Sequence, residues 1–187
     1  MNIFSWIINS ILIENVILSR FLGTCPFIGV SNNKKNALGM GLAVTIVITL
    51  SSILSWVIYK YVLIKFNMIY LKTIIFILII ATFVQILEMI IKKISPSLYE
   101  NLGIYLPLIS TNCAVLGVAT IISNYSFFHA LITSFASGIG FLFVIYIFSS
   151  IRVKLNNTNI PKAFNDIPIA LVTASIMAMI ILRFSGV

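Results

Sequence analysis

Charge is what this chain has least of. Only 9% of its 187 residues are Asp, Glu, Lys or Arg, where an ordinary soluble domain holds about 25%. So little charge cannot cover a soluble surface of this size. With 60% hydrophobic residues and a mean hydropathy of +1.14, the chain is suited to lipid, where apolar surface needs no polar cover. Acidic residues are rarest: four, against twelve Lys and Arg, for a net charge of +8. That excess does not indicate nucleic acid, because the basic residues lie scattered in the gaps between apolar runs, as membrane flanks do. Two cysteines are too few for a disulfide framework, and both lie in apolar sequence. The chain has no nucleophile–base–acid constellation and no phosphate loop. The N-terminus has no basic stretch ahead of its apolar run and no small-x-small cleavage site after it, so the first hydrophobic segment is expected to stay in the mature protein.

What is present is apolar sequence in blocks. About 20 apolar residues span a bilayer, and six segments qualify: 3–22, 37–59, 73–91, 104–122, 128–151 and 167–184. Each must satisfy its own backbone, and such long, uniformly apolar runs are helices rather than barrel strands. The expected fold is therefore an all-α integral membrane protein, one membrane domain over 1–187. The gaps after the first, third and fifth segments carry Lys34, Lys35, Lys92, Lys93, Arg152, Lys154 and Lys162, and the other side carries Lys60, Lys65, Lys72 and Arg183. Seven against four places the first group in the cytoplasm and both termini outside. Trp56, Tyr59, Tyr61 and Tyr70 cluster about the second gap, as an aromatic belt would.

Six segments divide into three and three, repeat one about 1–93 and repeat two about 94–187. An odd number per half makes the halves run in opposite directions. Two echoes support this inverted repeat. Cys25-Pro26-Phe27-Ile28-Gly29-Val30 matches Cys113-Ala114-Val115-Leu116-Gly117-Val118, and Gly39-Met40-Gly41 matches Gly138-Ile139-Gly140. Glu14-Asn15 and Glu100-Asn101 precede the cysteines by 11 and 13 residues. Helices one and four are expected to be discontinuous: Gly23 and Pro26 flank Cys25, while Pro107 and Ser110-Thr111-Asn112 precede Cys113. Inverted repeats place their functional site near the midplane, on such broken helices. Free cysteines are often inert small hydrophobes, and a disulfide here would merely staple the halves. Matched positions beside helix breaks fit metal ligation better. Thiolates suit zinc or iron–sulfur centres, but both ask for about four ligands, so two cysteines need a second copy or a homologous partner. The repeat alone also fits a small solute transporter with structural cysteines.

The stretches Phe21-Leu22-Gly23-Thr24-Cys25-Pro26-Phe27-Ile28-Gly29-Val30-Ser31 and Leu102-Gly103-Ile104-Tyr105-Leu106-Pro107-Leu108-Ile109-Ser110-Thr111-Asn112-Cys113-Ala114-Val115-Leu116-Gly117-Val118 closely resemble the RnfA/RsxA branch of the NqrDE/RnfAE family, membrane subunits of Rnf-type electron transport complexes. Val84-Gln85-Ile86-Leu87-Glu88-Met89 and Phe184-Ser185-Gly186 extend the resemblance over essentially the whole chain. The related NqrE component of the sodium-pumping NADH:quinone oxidoreductase typically has Cys-Thr-Phe in place of Cys25-Pro26-Phe27, and Gly-Gly in place of Gly117-Val118. Both departures favour Rnf. The resemblance implies a membrane component of a bacterial inner-membrane complex that couples electron transfer between ferredoxin and NAD to ion movement. In some bacteria a related complex keeps a redox-sensing regulator reduced. It also implies a homologous partner of opposite topology, RnfE, and one intramembrane [2Fe–2S] cluster to which Cys25 and Cys113 contribute two of four ligands. NADH, flavin and ferredoxin sites would lie on the other Rnf subunits.

Glu14 and Glu88 fall inside expected spans, where carboxylates are costly and mark candidate ion pathways. Pairing of Glu14 with Arg20, or Glu88 reaching toward Lys92-Lys93, is the structural alternative. His129 is expected as a solvated interfacial ring. The Gly-x-Gly pairs have no strand before them, so close helix packing explains them better than nucleotide binding. The basic bias gives a direct test of orientation. Tags on either terminus should be accessible from the periplasmic side of intact cells, and a tag exposed only in the cytoplasm would reverse the assignment.

Overall fold

The computed structural model describes residues 11, 15–66, 69–94, 108–109, 112–155 and 166–185. Among them the regular structure is all helical, joined by turns. A seven-residue helix, α1 (Thr24–Val30), precedes α2 (Lys34–Ile58), which runs on through a π-helical turn at Tyr59–Leu63. Then come α3 (Lys72–Ile94), the ten-residue α4 (Cys113–Ile122), α5 (Phe127–Leu155) and α6 (Ile167–Ser185). Three helical stretches are long and apolar enough to cross a membrane: Lys34–Leu63, Ile69–Ile90 and Phe127–Leu155. Six full-length spans therefore do not appear among the described residues. The fourth expected span is represented by α4 and residues 108–109, and the sixth by the shorter apolar α6. Most of the first lies outside the described residues; its end, 16–20, forms turns rather than helix. Glu100-Asn101, Pro107, Ser110-Thr111 and Lys162 also lie outside the described residues.

α2 and α5 form the centre. Half of the α2 span is buried and 56% of the α5 span, against 17% of the α3 span. Small residues bring the two backbones together. A Cβ on Gly138 would stand 2.7 Å from Thr45 Cγ2, and one on Gly41 would stand 3.1 Å from Leu142 Cγ. Thr45 Oγ1 lies 2.7 Å from the Gly41 carbonyl of its own helix and 2.9 Å from the Gly138 carbonyl across the interface. Gly140 makes room for the first segment, its missing Cβ falling 2.9 Å from Ile11 O and 3.0 Å from Asn15 Nδ2. Gly39, by contrast, faces open space. The short α1 is held to α5 by Phe27, stacked on Phe148 at 4.2 Å.

Two sequence expectations shift here. The break before Cys25 is made by Gly23 rather than Pro26. Gly23 caps α1 in the left-handed conformation, φ 82°, and Phe21 also has positive φ, 54°. Pro26 is the third residue of α1, where a missing N–H costs nothing because first-turn amides have no intrahelical acceptor. Trp56 is no belt residue either. It is buried, its Nε1 donates to Tyr125 O at 2.9 Å, and its ring meets Phe127 edge-on at 5.2 Å. Tyr61 and Tyr70 are exposed.

Gly23 cannot carry a side chain without strain. An added Cβ would lie 3.0 Å from both Ala114 Cβ and Phe141 Cε2, on a backbone that disfavours L residues. Gly23→Ala should destabilise the folded chain by roughly 1–3 kcal/mol. Thermal unfolding of the detergent-solubilised protein measures this, and an unchanged midpoint would show that the break tolerates a Cβ.

Candidate functional site

The two cysteine blocks, 88 positions apart in the sequence, meet in the fold. Both cysteines open a helix. Cys113 is the first residue of α4 and Cys25 the second of α1. The contact runs through backbone: Gly23 N–H donates to Cys113 Sγ at 2.8 Å. That amide is the N-cap position of α1, so the start of one short helix touches the sulfur at the start of the other. Leu22 packs into the space left by Gly117, four residues into α4. Cys25 is exposed and Cys113 half-buried, and both are free thiols. Among the described residues no group of three or more His, Cys, Asp and Glu side chains stands together. The junction thus brings Cys113 Sγ against the backbone two residues before Cys25.

The local chemistry of the junction is set by asparagine. Asn112 caps α4: its backbone is extended and its Oδ1 accepts the Ala114 N–H at 3.0 Å. Asn15 makes the same local bond, its Oδ1 accepting the Ile17 N–H at 3.1 Å. Helix N-termini carry unpaired N–H groups and the positive end of the helix dipole. Cys25 and Cys113 sit in those first turns. The repeated pattern marks the cysteines, whereas Asn112 reads in sequence only as part of a polar break. An Asn immediately before an apolar helix is a cap signal and could have shown its role.

The far ends of the two short helices are closed in matching ways. At the end of α1, Ser31 Oγ donates to the Ile28 carbonyl at 3.2 Å, and Arg152 Nη1 from α5 donates to that carbonyl and to Ser31 Oγ, the latter at 2.7 Å. At the end of α4, Ser123 Oγ donates to the Thr120 carbonyl at 2.8 Å, and Lys72 Nζ from α3 donates to that carbonyl at 3.4 Å and to Ser123 Oγ at 2.6 Å. Cations belong at helix C-termini, where carbonyls are unpaired and the dipole is negative. Arg152 is only 2% exposed and also pairs with Asp166 at 2.6 Å. Lys72 lies over the Tyr59 ring at 5.0 Å. In sequence both cations read solely as topology markers; no signal ties either to a helix end so distant in the chain.

Of the two candidate carboxylates, only Glu88 is among the described residues. Glu14 lies outside the described residues. Glu88 lies on α3, half-buried, and lines a surface groove with Gln85, Met89 and Lys92, none of them from either cysteine block. His129 is exposed near the start of α5.

The match to known proteins extends well beyond the cysteine blocks. Residues 3–187 match the family described as Rnf-Nqr subunit, membrane protein. The A component of the Na(+)-translocating ferredoxin:NAD(+) oxidoreductase complex of Acetobacterium woodii is 51% identical over 96% of this chain and 94% of its own length. Its counterpart in the proton-translocating ferredoxin:NAD(+) oxidoreductase complex of Clostridium ljungdahlii is 48% identical over the same shares. The A component of an ion-translocating oxidoreductase complex from Buchnera aphidicola subsp. Baizongia pistaciae is 48% identical over all of this chain and 97% of its own. Apolar spans, the paired cysteine blocks and full-length similarity agree: this chain belongs to the Rnf-Nqr family of membrane subunits, in its RnfA/RsxA branch, the A components of ion-translocating oxidoreductases.

Proposed function

We propose that this chain supplies half of an intramembrane [2Fe–2S] site in a ferredoxin–NAD type ion-translocating complex. Cys25 and Cys113 are its two ligands, and the homologous RnfE partner, of opposite topology, gives the other two. The observation that carries this reading is the junction: Gly23 N–H on Cys113 Sγ at 2.8 Å brings the two cysteine blocks to one place. The donor set fits. Two thiols would be half of a four-thiolate site, and exposed Cys25 can face a partner. A cluster held there would give a one-electron relay between the two faces of a hydrocarbon core about 30 Å thick.

The chain's own residues hold and tune that position. Gly23 N–H donates to Cys113 Sγ, and the two cysteines lie in the first turns of α1 and α4. Arg152 and Lys72 offset the negative ends on the far side. The echoes of Cys25–Val30 in Cys113–Val118 and of Gly39–Gly41 in Gly138–Gly140 support two inverted three-helix repeats, about 1–93 and 94–187, with breaks in helices one and four. The seven-to-four basic bias supports periplasmic termini in a bacterial inner membrane. Reading the chain as a solute transporter gains nothing from the family match, and all three relatives bear the name of an oxidoreductase A component rather than that of an Nqr protein.

Cys25→Ser and Cys113→Ser should each abolish the cluster while the chain still inserts, because serine matches cysteine in size but is a poor iron ligand. The double variant should lose no more than either single one, as expected for one shared site. Iron content and the reduced-state electron paramagnetic resonance signal of the purified complex decide the matter. Full iron in either single variant removes that residue from the ligand set.

Ion coupling is assigned to Glu88 ahead of Glu14. Gln85 lies one turn before Glu88 and shares its groove, giving α3 a polar stripe, whereas Glu14 has Arg20 close in sequence. Glu88→Gln should lower ion uptake per electron in proteoliposomes more than Glu14→Gln does. Equal coupling in the wild-type and Glu88→Gln complexes would sink the assignment.

A further inference from the structure

Beyond the last turn of α2 the chain turns its side chains outward. Of residues 59–66, only Leu63 is buried. Tyr61 is 70% exposed and Phe66 68%. Lys60 and Lys65 are exposed in the same stretch. Large rings and aliphatic side chains do not suit open water in such number, and ammonium groups do not suit the hydrocarbon interior. The two together suit the boundary between them, where aromatic rings and long lysines both gain.

Helix length sets the same depth independently. Lys34–Leu63 is one helical stretch of 30 residues, about 45 Å at 1.5 Å per residue. The hydrocarbon core is about 30 Å thick, and the bilayer with its headgroup layers about 40–45 Å. A helix this long crosses the core and reaches into both headgroup layers. Lys34 and Lys35 stand at one end of it and Lys60 at the other, level with lipid phosphates. The positive charge on this side has no counterpart in the neighbouring chain. Residues 56–72 and 119–131 are joined here by the bonds of Trp56 to Tyr125 and of Lys72 to Ser123, and neither segment contains an Asp or Glu. Lys72 is committed to Thr120 O and Ser123 Oγ. Lys60 lies over the Trp56 ring at 5.0 Å, which attracts the ammonium without cancelling its charge.

We infer that the segment 59–66 is a binding surface for an anionic phospholipid. Lys60 and Lys65 attract the headgroup, and Tyr61, Ile64 and Phe66 meet its glycerol and upper acyl chains. The two halves of the surface select the occupant together. A free phosphate would satisfy the lysines and leave the rings uncovered. A zwitterionic lipid would cover the rings, but it carries its own cation beside the phosphate and gains little from two more. Only a lipid with net negative charge answers both. The surface lies at the end of α2, and its occupant takes no part in the electron path.

The test uses the whole complex in phosphatidylcholine vesicles that carry a trace of lipid with a photoreactive acyl chain, either phosphatidylglycerol or phosphatidylcholine. After illumination, adducts on the peptide containing residues 59–66 are counted by mass spectrometry. Phosphatidylglycerol should label this stretch about fivefold more than phosphatidylcholine, or better, since each lysine at a membrane surface is worth about that factor. Lys60→Gln with Lys65→Gln should bring the two lipids to equal labelling, and Lys60→Arg with Lys65→Arg should keep the preference. Both lysines are exposed, so neither pair disturbs the core. Equal labelling of the unsubstituted complex by the two lipids overturns the inference. So does loss of the phosphatidylglycerol adducts on adding inorganic phosphate, which would make the surface a site for a free anion. Absence of adducts from both lipids overturns it as well, by showing that a neighbouring protein covers the segment.

Discussion

A helix that begins inside a membrane has a problem at its start. Its first four N–H groups have no intrahelical acceptor, and no water is at hand to take them. This fold places the starts of two short helices, α1 and α4, against each other. The N-cap donor of α1 is given to the sulfur that opens α4, and the opening of α4 is capped by its own Asn112. Glycine is required at the contact because the backbone there is left-handed and an added Cβ would stand 3.0 Å from Ala114 Cβ and from Phe141 Cε2. The α2–α5 pair supplies the rigid frame: Phe141 of α5 bounds the space around Gly23, and Phe148 of the same helix stacks on Phe27 of α1.

The opposite ends of the short helices obey the same rule with reversed sign. Orphan carbonyls accept from a serine and a cation at each end, Arg152 at one and Lys72 at the other. A buried guanidinium is expensive unless its donors are used; Arg152 places Nη1 on a carbonyl and a hydroxyl and Nη2 on Asp166, while its buried Nε stays unpaired. Both short helices therefore have donors facing the junction and compensated acceptors facing away. Their dipoles then add to the field at the sulfurs with the far negative ends offset.

Much of this was legible in the sequence, for reasons that are local. Composition and run length predict membrane helices, and α2, α3 and α5 appear where the apolar runs place them. Gly-x-Gly spacing predicts close packing, which Gly41 and Gly138 provide. The cysteine echo marks the junction. What was not legible depends on contacts distant in sequence or on fine backbone geometry. Pro26 reads as a breaker by residue type, yet one position decides whether proline ends a helix or starts one, and Gly23 had already turned the chain. Arg152 and Lys72 read as interfacial charges, because nothing in a linear gap announces a carbonyl 124 or 48 residues away. Trp56 reads as an interfacial anchor, yet its indole reaches Tyr125, just ahead of α5.

The sequence distance across the junction has a temporal meaning. Gly23 and Cys113 are 90 residues apart, so their contact carries one of the larger loop-closure costs available to a chain of this length. A nascent chain at residue 100 has made α1 to α3 and possesses no junction at all. The paired sulfurs come into being only after α4 has been synthesised, inserted and folded back on the first segment. The contact between the two cysteine blocks is therefore a late event in biogenesis.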